Sequence, residues 1–155
     1  MTPSKLKIIH FSSSYSREFR DLNTEWLEKY FYVEPYDKVV LGNPQTYIID
    51  KGGYIFFAKL NEQIVGTFAL MKQEECFELS KMAVSPKYQG LKIGQKLLEK
   101  CITFSKEQGW NKIMLYSNTK LESAIYLYRK YGFEEVPLET DVSYQRADIK
   151  MILKL

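Results

Sequence analysis

The sequence predicts an α/β (α+β) fold: a mixed central β-sheet flanked by helices, with element order βααβββαβαββ. Three observations carry this reading. Tyr54–Leu60, Ile64–Lys72 and Phe77–Val84 are β-prone runs separated by short polar turns, so they form consecutive hairpin-joined strands. Two strand–helix units follow, and parallel neighbours in a sheet require such a helical crossover. Helical periodicity of apolar residues precedes the hairpins. The chain has 155 residues, which suits one domain spanning 1–155. That length buries a core without a metal or disulfide staple.

The elements follow in order. Leu6–Phe11 is an apolar run that reads as the first strand. Serines 12–14 come next, and Ser14 suits the cap of a helix running to about Tyr30. Phe19, Leu22, Trp26 and Tyr30 recur at helical spacing, giving that helix one buried face. Pro35 fits the first turn of a second short helix ending near Leu41, closed by Gly42-Asn43-Pro44. Gly52-Gly53 turns the chain into the hairpin region, with Asn61-Glu62-Gln63 and Glu74-Glu75 as its loops and Pro86 as its end. Ile93, Leu97, Cys101 and Phe104 line one face of a helix that stops at Gly109. Lys112–Tyr116 is a strand, Leu121–Tyr131 a helix capped by Gly132, Phe133–Val136 a further strand, and Asp148–Leu155 a final extended segment.

Composition excludes several functions. Hydrophobic residues at 45% and charged residues at 26% are those of a soluble globular protein. The net charge of +3 is small and the lysines are scattered, unlike the basic stripe of a nucleic-acid binder. No apolar run reaches the ~18 residues of a membrane span. MTPSKLKIIH lacks the core of a secretory signal. The chain therefore reads as cytoplasmic, with Cys76 and Cys101 as free thiols. One histidine and two cysteines offer no zinc spacing, so no metal is expected. His10 reads as a strand residue, Cys101 and Trp26 as core, and Trp110 as packing where the chain turns.

The chemically informative stretch is Glu78–Gly94, ELSKMAVSPKYQGLKIG. A strand enters a short loop, and a helix starts near Ile93. The first N–H groups of a helix lack intrahelical partners, and with the helix dipole they form a phosphate site. Gly90 and Gly94 leave room for a close phosphate, although a turn and helix–sheet packing explain the same glycines.

Gln89, two residues, Lys92, one residue and Gly94 resemble the acyl-CoA motif of the GNAT superfamily of N-acetyltransferases. That motif carries Gln or Arg, two residues, Gly, one residue, then Gly or Ala. Lys92 stands in place of the middle glycine. A second stretch, NTKLESAIYLYRKYGF from Asn118 to Phe133, resembles the family's other conserved region through Ala124, Leu127-Tyr128 and Gly132-Phe133. Leu121 stands where many members place Asn, and Asn118 is the substitute in a subset.

This resemblance implies an N-acetyltransferase that uses acetyl-CoA as cosubstrate and a primary amine as acceptor, reacting directly in a ternary complex. It implies Glu78 as the base that deprotonates the amine and Tyr128 as the acid beside the leaving thiolate. Met82, Ala83 and Val84 would pair with the pantetheine arm and supply an oxyanion donor. Gln89, Gly90, Leu91, Lys92, Ile93, Gly94, Gln95 and Asn118 would hold the rest of the cofactor, with Lys92 as a cation beside a phosphate. Glu34 and Asp37, flanked by tyrosines, would hold a cationic acceptor, although solvated loop charges are the more common explanation of such residues. The acceptor is a small molecule or a peptide. Dimers are common in such folds, but the sequence marks no interface. The alternative is a non-catalytic acyl-CoA sensor on the same fold. A dinucleotide domain is poor, since no G-x-G-x-x-G is present.

Overall fold

The computed structural model describes residues 5–142 and 144–155. Its seven strands form one mixed sheet in the order β1-β2-β3-β4-β5-β7-β6. The strands are β1 (Leu6–His10), β2 (Tyr54–Leu60), β3 (Gln63–Lys72), β4 (Phe77–Val84), β5 (Lys112–Ser117), β6 (Glu134–Val136) and β7 (Ile149–Lys154). The helices are α1 (Ser16–Tyr30), α2 (Pro35–Gly42), α3 (Ile93–Glu107) and α4 (Glu122–Lys130). This is the expected order.

Both faces of the sheet are covered, and the sequence of β2 shows why. Ile55 and Phe57 pack with Phe19, Leu27, Val40 and Leu41 from α1 and α2. Phe56 and Ala58, pointing the other way, pack with Leu97, Leu98 and Cys101 from α3. A strand buried on both sides reads as a continuous apolar run, as YIFFAKL does. Trp110 stacks on Phe77 with ring centroids 3.8 Å apart.

Several boundaries shift for identifiable reasons. Ser14 does not cap α1. Ser12 instead accepts a hydrogen bond from the Ser14 amide and starts a 3₁₀ turn, Ser13–Tyr15, which leads into α1. The segment after Pro44 forms a π-helical turn, Gln45–Ile49, that buries Ile48. Asn61 and Glu62 alone form the β2–β3 turn, both with positive φ, and Gln63 already pairs with Leu60. Such a two-residue turn matches the twist of the strands it joins. α3 and α4 both end in a paired hydrogen-bond closure around a left-handed glycine. Trp110 N bonds Ser105 O, and Phe133 N bonds Tyr128 O, with Gly109 and Gly132 at positive φ.

Two irregularities position the site. β4 pairs in parallel with β5 only through Phe77–Ile113, Glu78–Met114 and Leu79–Leu115, then separates from it. On its other edge β4 carries a bulge: Thr67 pairs with Ala83 but Ala69 pairs with Ser80. Lys81 occupies that bulge with φ of 56°. A bulge re-aims the side chains that follow it, and here it helps turn the end of β4 away from β5.

Candidate active site

The gap between the separating ends of β4 and β5 opens into a cavity of about 270 Å³. Ser80, Lys81, Met82, Ala83 and Val84 line one side of it, and Tyr116, Ser117 and Asn118 the other. Past Leu79 the β4 edge facing β5 has no strand partner. Unpaired strand edges are templates for an added extended chain.

At one end lies the start of α3. No side chain caps this helix, so its first N–H groups are open to an anion. Gln89 and Gly94 line the cavity, whereas Gly90, Leu91, Lys92, Ile93 and Gln95 build the turn behind them. Lys92 is the residue before the helix and is left-handed, with φ of 59° and ψ of 29°. The glycine it replaces in the family motif adopts that conformation without steric cost. A left-handed non-glycine residue costs ~1–2 kcal/mol. Part of the gain from Lys92→Gly is offset by the ~0.4–1 kcal/mol of extra unfolded-chain entropy. The substitution is expected to raise the thermal midpoint by up to about 5 °C, from a net gain of ~0–1.6 kcal/mol. A lower midpoint would show that the lysine side chain repays its backbone conformation.

Glu78 sits inside the sheet, opposite Met71 of β3 and beside Met114 of β5. It is buried and lines the cavity. Gln73 donates to its Oε1 at 2.8 Å. Burial raises its pKa above the ordinary carboxylate value, outweighing the nearby Lys81 charge and the Gln73 hydrogen bond. Tyr128 of α4 lines the same cavity, its ring against Phe133. Its hydroxyl bonds no described residue. Among the described residues no buried side-chain polar atom lacks a partner, so this hydroxyl keeps a small exposure to the cavity. Burial of the surrounding side chain pushes its pKa up to about 12, so the proton stays on oxygen at neutral pH.

Asn118 is committed at both ends of its amide. Its Nδ2 donates to Arg146 O at 2.7 Å, and its Oδ1 accepts from Lys120 N at 2.9 Å. It shapes the cavity wall by tying the β5–α4 loop to the segment before β7. Trp26 is half-buried rather than core, and it lines the cavity with Phe31.

Glu34 and Asp37 require correction. They are neither solvated nor open to an acceptor. Both are buried at the start of α2, away from the cavity lining. Asp37 receives Arg146 Nη1 and Nη2 at 2.8 Å each, Lys81 Nζ at 3.4 Å and Glu34 N at 2.9 Å. Glu34 receives Arg146 Nη1 and Gln145 N, both at 3.0 Å. Every oxygen of the pair is occupied. Burial alone would raise the pKa of Asp37, but the Arg146 hydrogen bonds, the Glu34 amide and the charges of Lys81 and Arg146 together lower it.

Lys81, Tyr144 and Arg146 line the cavity, and nothing in the sequence singled them out. Lys81 also donates to the Tyr144 hydroxyl. Burial brings Lys81 down to about 8, with Asp37 opposing and Arg146 assisting that shift. A lysine set among the apolar positions of β4 was the one available signal. The Tyr144–Arg146 loop carried none.

Comparison with known proteins agrees with this architecture. The profile of the acetyltransferase (GNAT) family matches residues 11–133. A GNAT-family acetyltransferase from Staphylococcus aureus Mu50 superposes with TM-score 0.84 at 28% identity, over 97% of this chain and 99% of that one. The PaiA N-acetyltransferase of Thermoplasma acidophilum, solved in complex with coenzyme A, shares the fold with TM-score 0.76 at 19% identity, over 97% and 99% of the two chains. Rat N-acetyltransferase 8B is 28% identical over 97 residues, which cover 59% of this chain and 44% of that protein. The chain spans about half or less of the length of such curated relatives.

Proposed function

The chain belongs to the acetyltransferase (GNAT) family, and on that premise we propose that it transfers an acetyl group from acetyl-CoA to a primary amine by direct attack in a ternary complex. One observation carries the reading. A single cavity brings together an unpaired β4 edge, an uncapped helix start, a buried carboxylate at Glu78 and the open hydroxyl of Tyr128.

These groups suit the ends of acetyl-CoA. The loop Gln89–Gln95 and the first turn of α3 would hold the diphosphate. The Ser80–Val84 edge would pair with the pantetheine arm, and one of its N–H groups would meet the developing oxyanion. A free amine of pKa ~10 is protonated near neutrality. Glu78, directly or through one water, would take that proton, and its raised pKa brings it closer to the working pH. The nitrogen then forms the new C–N bond as the C–S bond breaks. With a pKa of about 12, Tyr128 gives up a proton less readily than a thiol of pKa ~8.5. Its role is therefore to hydrogen-bond the departing sulfur, which collects, through solvent, the second proton that the attacking nitrogen loses as it becomes the amide.

Calorimetry with acetyl-CoA and CoA tests the reading, on wild type and Gly94→Glu. A Cβ at position 94 meets only Val84 Cγ2 at 3.9 Å, so the backbone has room for a side chain there, and the glutamate brings charge and bulk to the anion site. The expected result is micromolar or tighter binding by wild type, weakened at least tenfold in the variant. That corresponds to a loss of ~1.4 kcal/mol or more. A folded wild type that binds neither ligand would reduce the reading to a shared fold. Binding without transfer to any amine would leave a sensor.

A further inference from the structure

The charges around the cavity limit which amine can enter. The carboxylates of Glu34 and Asp37 are consumed by Arg146, Lys81 and backbone amides. The donors are not. A guanidinium has five N–H groups. Arg146 spends two from Nη1 and one from Nη2 on the carboxylates, which leaves its Nε–H and one Nη2–H. An ammonium has three. Lys81 spends one on Asp37 and one on Tyr144, which leaves one. The Tyr144 hydroxyl accepts from Lys81, and its own proton has no partner among the described residues. No described buried side-chain nitrogen or oxygen lacks a partner, so Arg146 Nε, which has none among the described residues, keeps some solvent exposure, and Arg146 is a residue of the cavity wall.

Arg146 is also held rigidly. Its guanidinium grips Asp37 with two parallel hydrogen bonds while its carbonyl is held by Asn118. Asp148 N bonds Ser117 O two residues further on. A planar fork fixed in this way matches a carboxylate. Among the described residues Glu78 is the one carboxylate that lines the cavity, and it stands three residues before Lys81 on the same strand. That separation of ~10 Å or less suits an amine and a carboxylate within one small molecule. Trp26, Leu27 and Phe31 give the wall an apolar, aromatic side, beside the polar Asn23, Ser80, Gln89, Ser117 and Asn118.

Resting on the amine-acetylation reading, we propose that the acceptor carries a carboxylate close to its amine, as an α-amino acid with an apolar or aromatic side chain does, and that Arg146, Lys81 and Tyr144 bind that carboxylate. A polyamine would bring further positive charge against the Arg146 and Lys81 donors, with their own carboxylate partners already taken.

The test is release of CoA thiol from acetyl-CoA with matched acceptors: phenylalanine and leucine, their amides, phenethylamine, and spermidine. Arg146→Lys and Tyr144→Phe are assayed beside wild type. Charge-assisted hydrogen bonds to a carboxylate predict a preference of about 10–100-fold in kcat/KM for the acid over its amide. Both variants should raise KM for the acid and leave the KM of acetyl-CoA unchanged. Tyr144→Phe, which keeps the Arg146–Asp37 pair, supplies this readout should Arg146→Lys fail to fold. Equal rates for acid and amide, or a preference for spermidine, would overturn the acceptor class and leave the transferase standing. Tight acetyl-CoA binding with no turnover of any amine would overturn both.

Discussion

Asp37→Ala is expected to remove about 3–5 kcal/mol of folding stability, the cost of breaking a buried ion pair by deleting one partner. Total stability of a domain is only ~5–15 kcal/mol, so the variant should be marginal or unfolded. Asp37 is fully buried and receives both arms of the Arg146 fork, Lys81 and the Glu34 amide. Its removal leaves the buried Lys81 without its carboxylate partner and the half-buried Arg146 with Glu34 alone. The urea midpoint measures the effect, and a loss below ~1 kcal/mol would show that Glu34 and solvent replace it. The pH dependence has a definite sign. The folded pKa of Asp37 lies below its ordinary 3.8. Its stabilisation is thus fully present above the unfolded value and lost as pH falls through the lower folded one. Wild type should therefore lose stability on acidification below pH ~4 in a way that Asp37→Ala does not.

Glu78→Gln should separate catalysis from folding. The amide keeps the shape of the side chain and cannot take a proton, so kcat is expected to fall by about 10²–10⁴-fold, the usual worth of a positioned base. Acetyl-CoA affinity should be unchanged. The stability sign is opposite to that of Asp37. Burial raises the pKa of Glu78, so the native state binds more protons than the unfolded chain, and this residue costs stability as pH rises through its folded pKa. Glu78→Gln should therefore be as stable as wild type or more so at neutral pH. The wild-type rate should fall as pH drops through a midpoint above the ordinary carboxylate value. A variant that retains wild-type kcat would assign deprotonation to solvent alone.

The legible parts of this protein were those written in local pattern. The hairpin runs, the helical period of α3 and the glycine stops at Gly109 and Gly132 are each set within a dozen residues, and each stands where expected. The helix start after Gln89 was legible too, because an uncapped N-terminus following a strand is a local arrangement. Ser14 was misjudged because the three serines 12–14 offer the same cap chemistry, and only the path of the chain selected Ser12. Glu34 and Asp37 were misjudged for a different reason. Their partner, Arg146, lies 109 residues from Asp37, and no local window contains both charges.

By itself, the sequence determined the element order, the mixed sheet and the two motif stretches that resemble one enzyme family. Such features follow from backbone geometry and side-chain period, which neighbouring residues decide. The tertiary structure alone decided which charges are free. The Lys81 bulge, the separation of β4 from β5 and the closing of the Tyr144–Arg146 segment onto α2 bring distant residues together. That meeting occupies every oxygen of the two acidic groups and leaves part of the basic donors without a partner among the described residues. Burial converts an ordinary glutamate or lysine into one with a shifted pKa because desolvation depends on everything packed around it, and that environment exists only once the chain has folded.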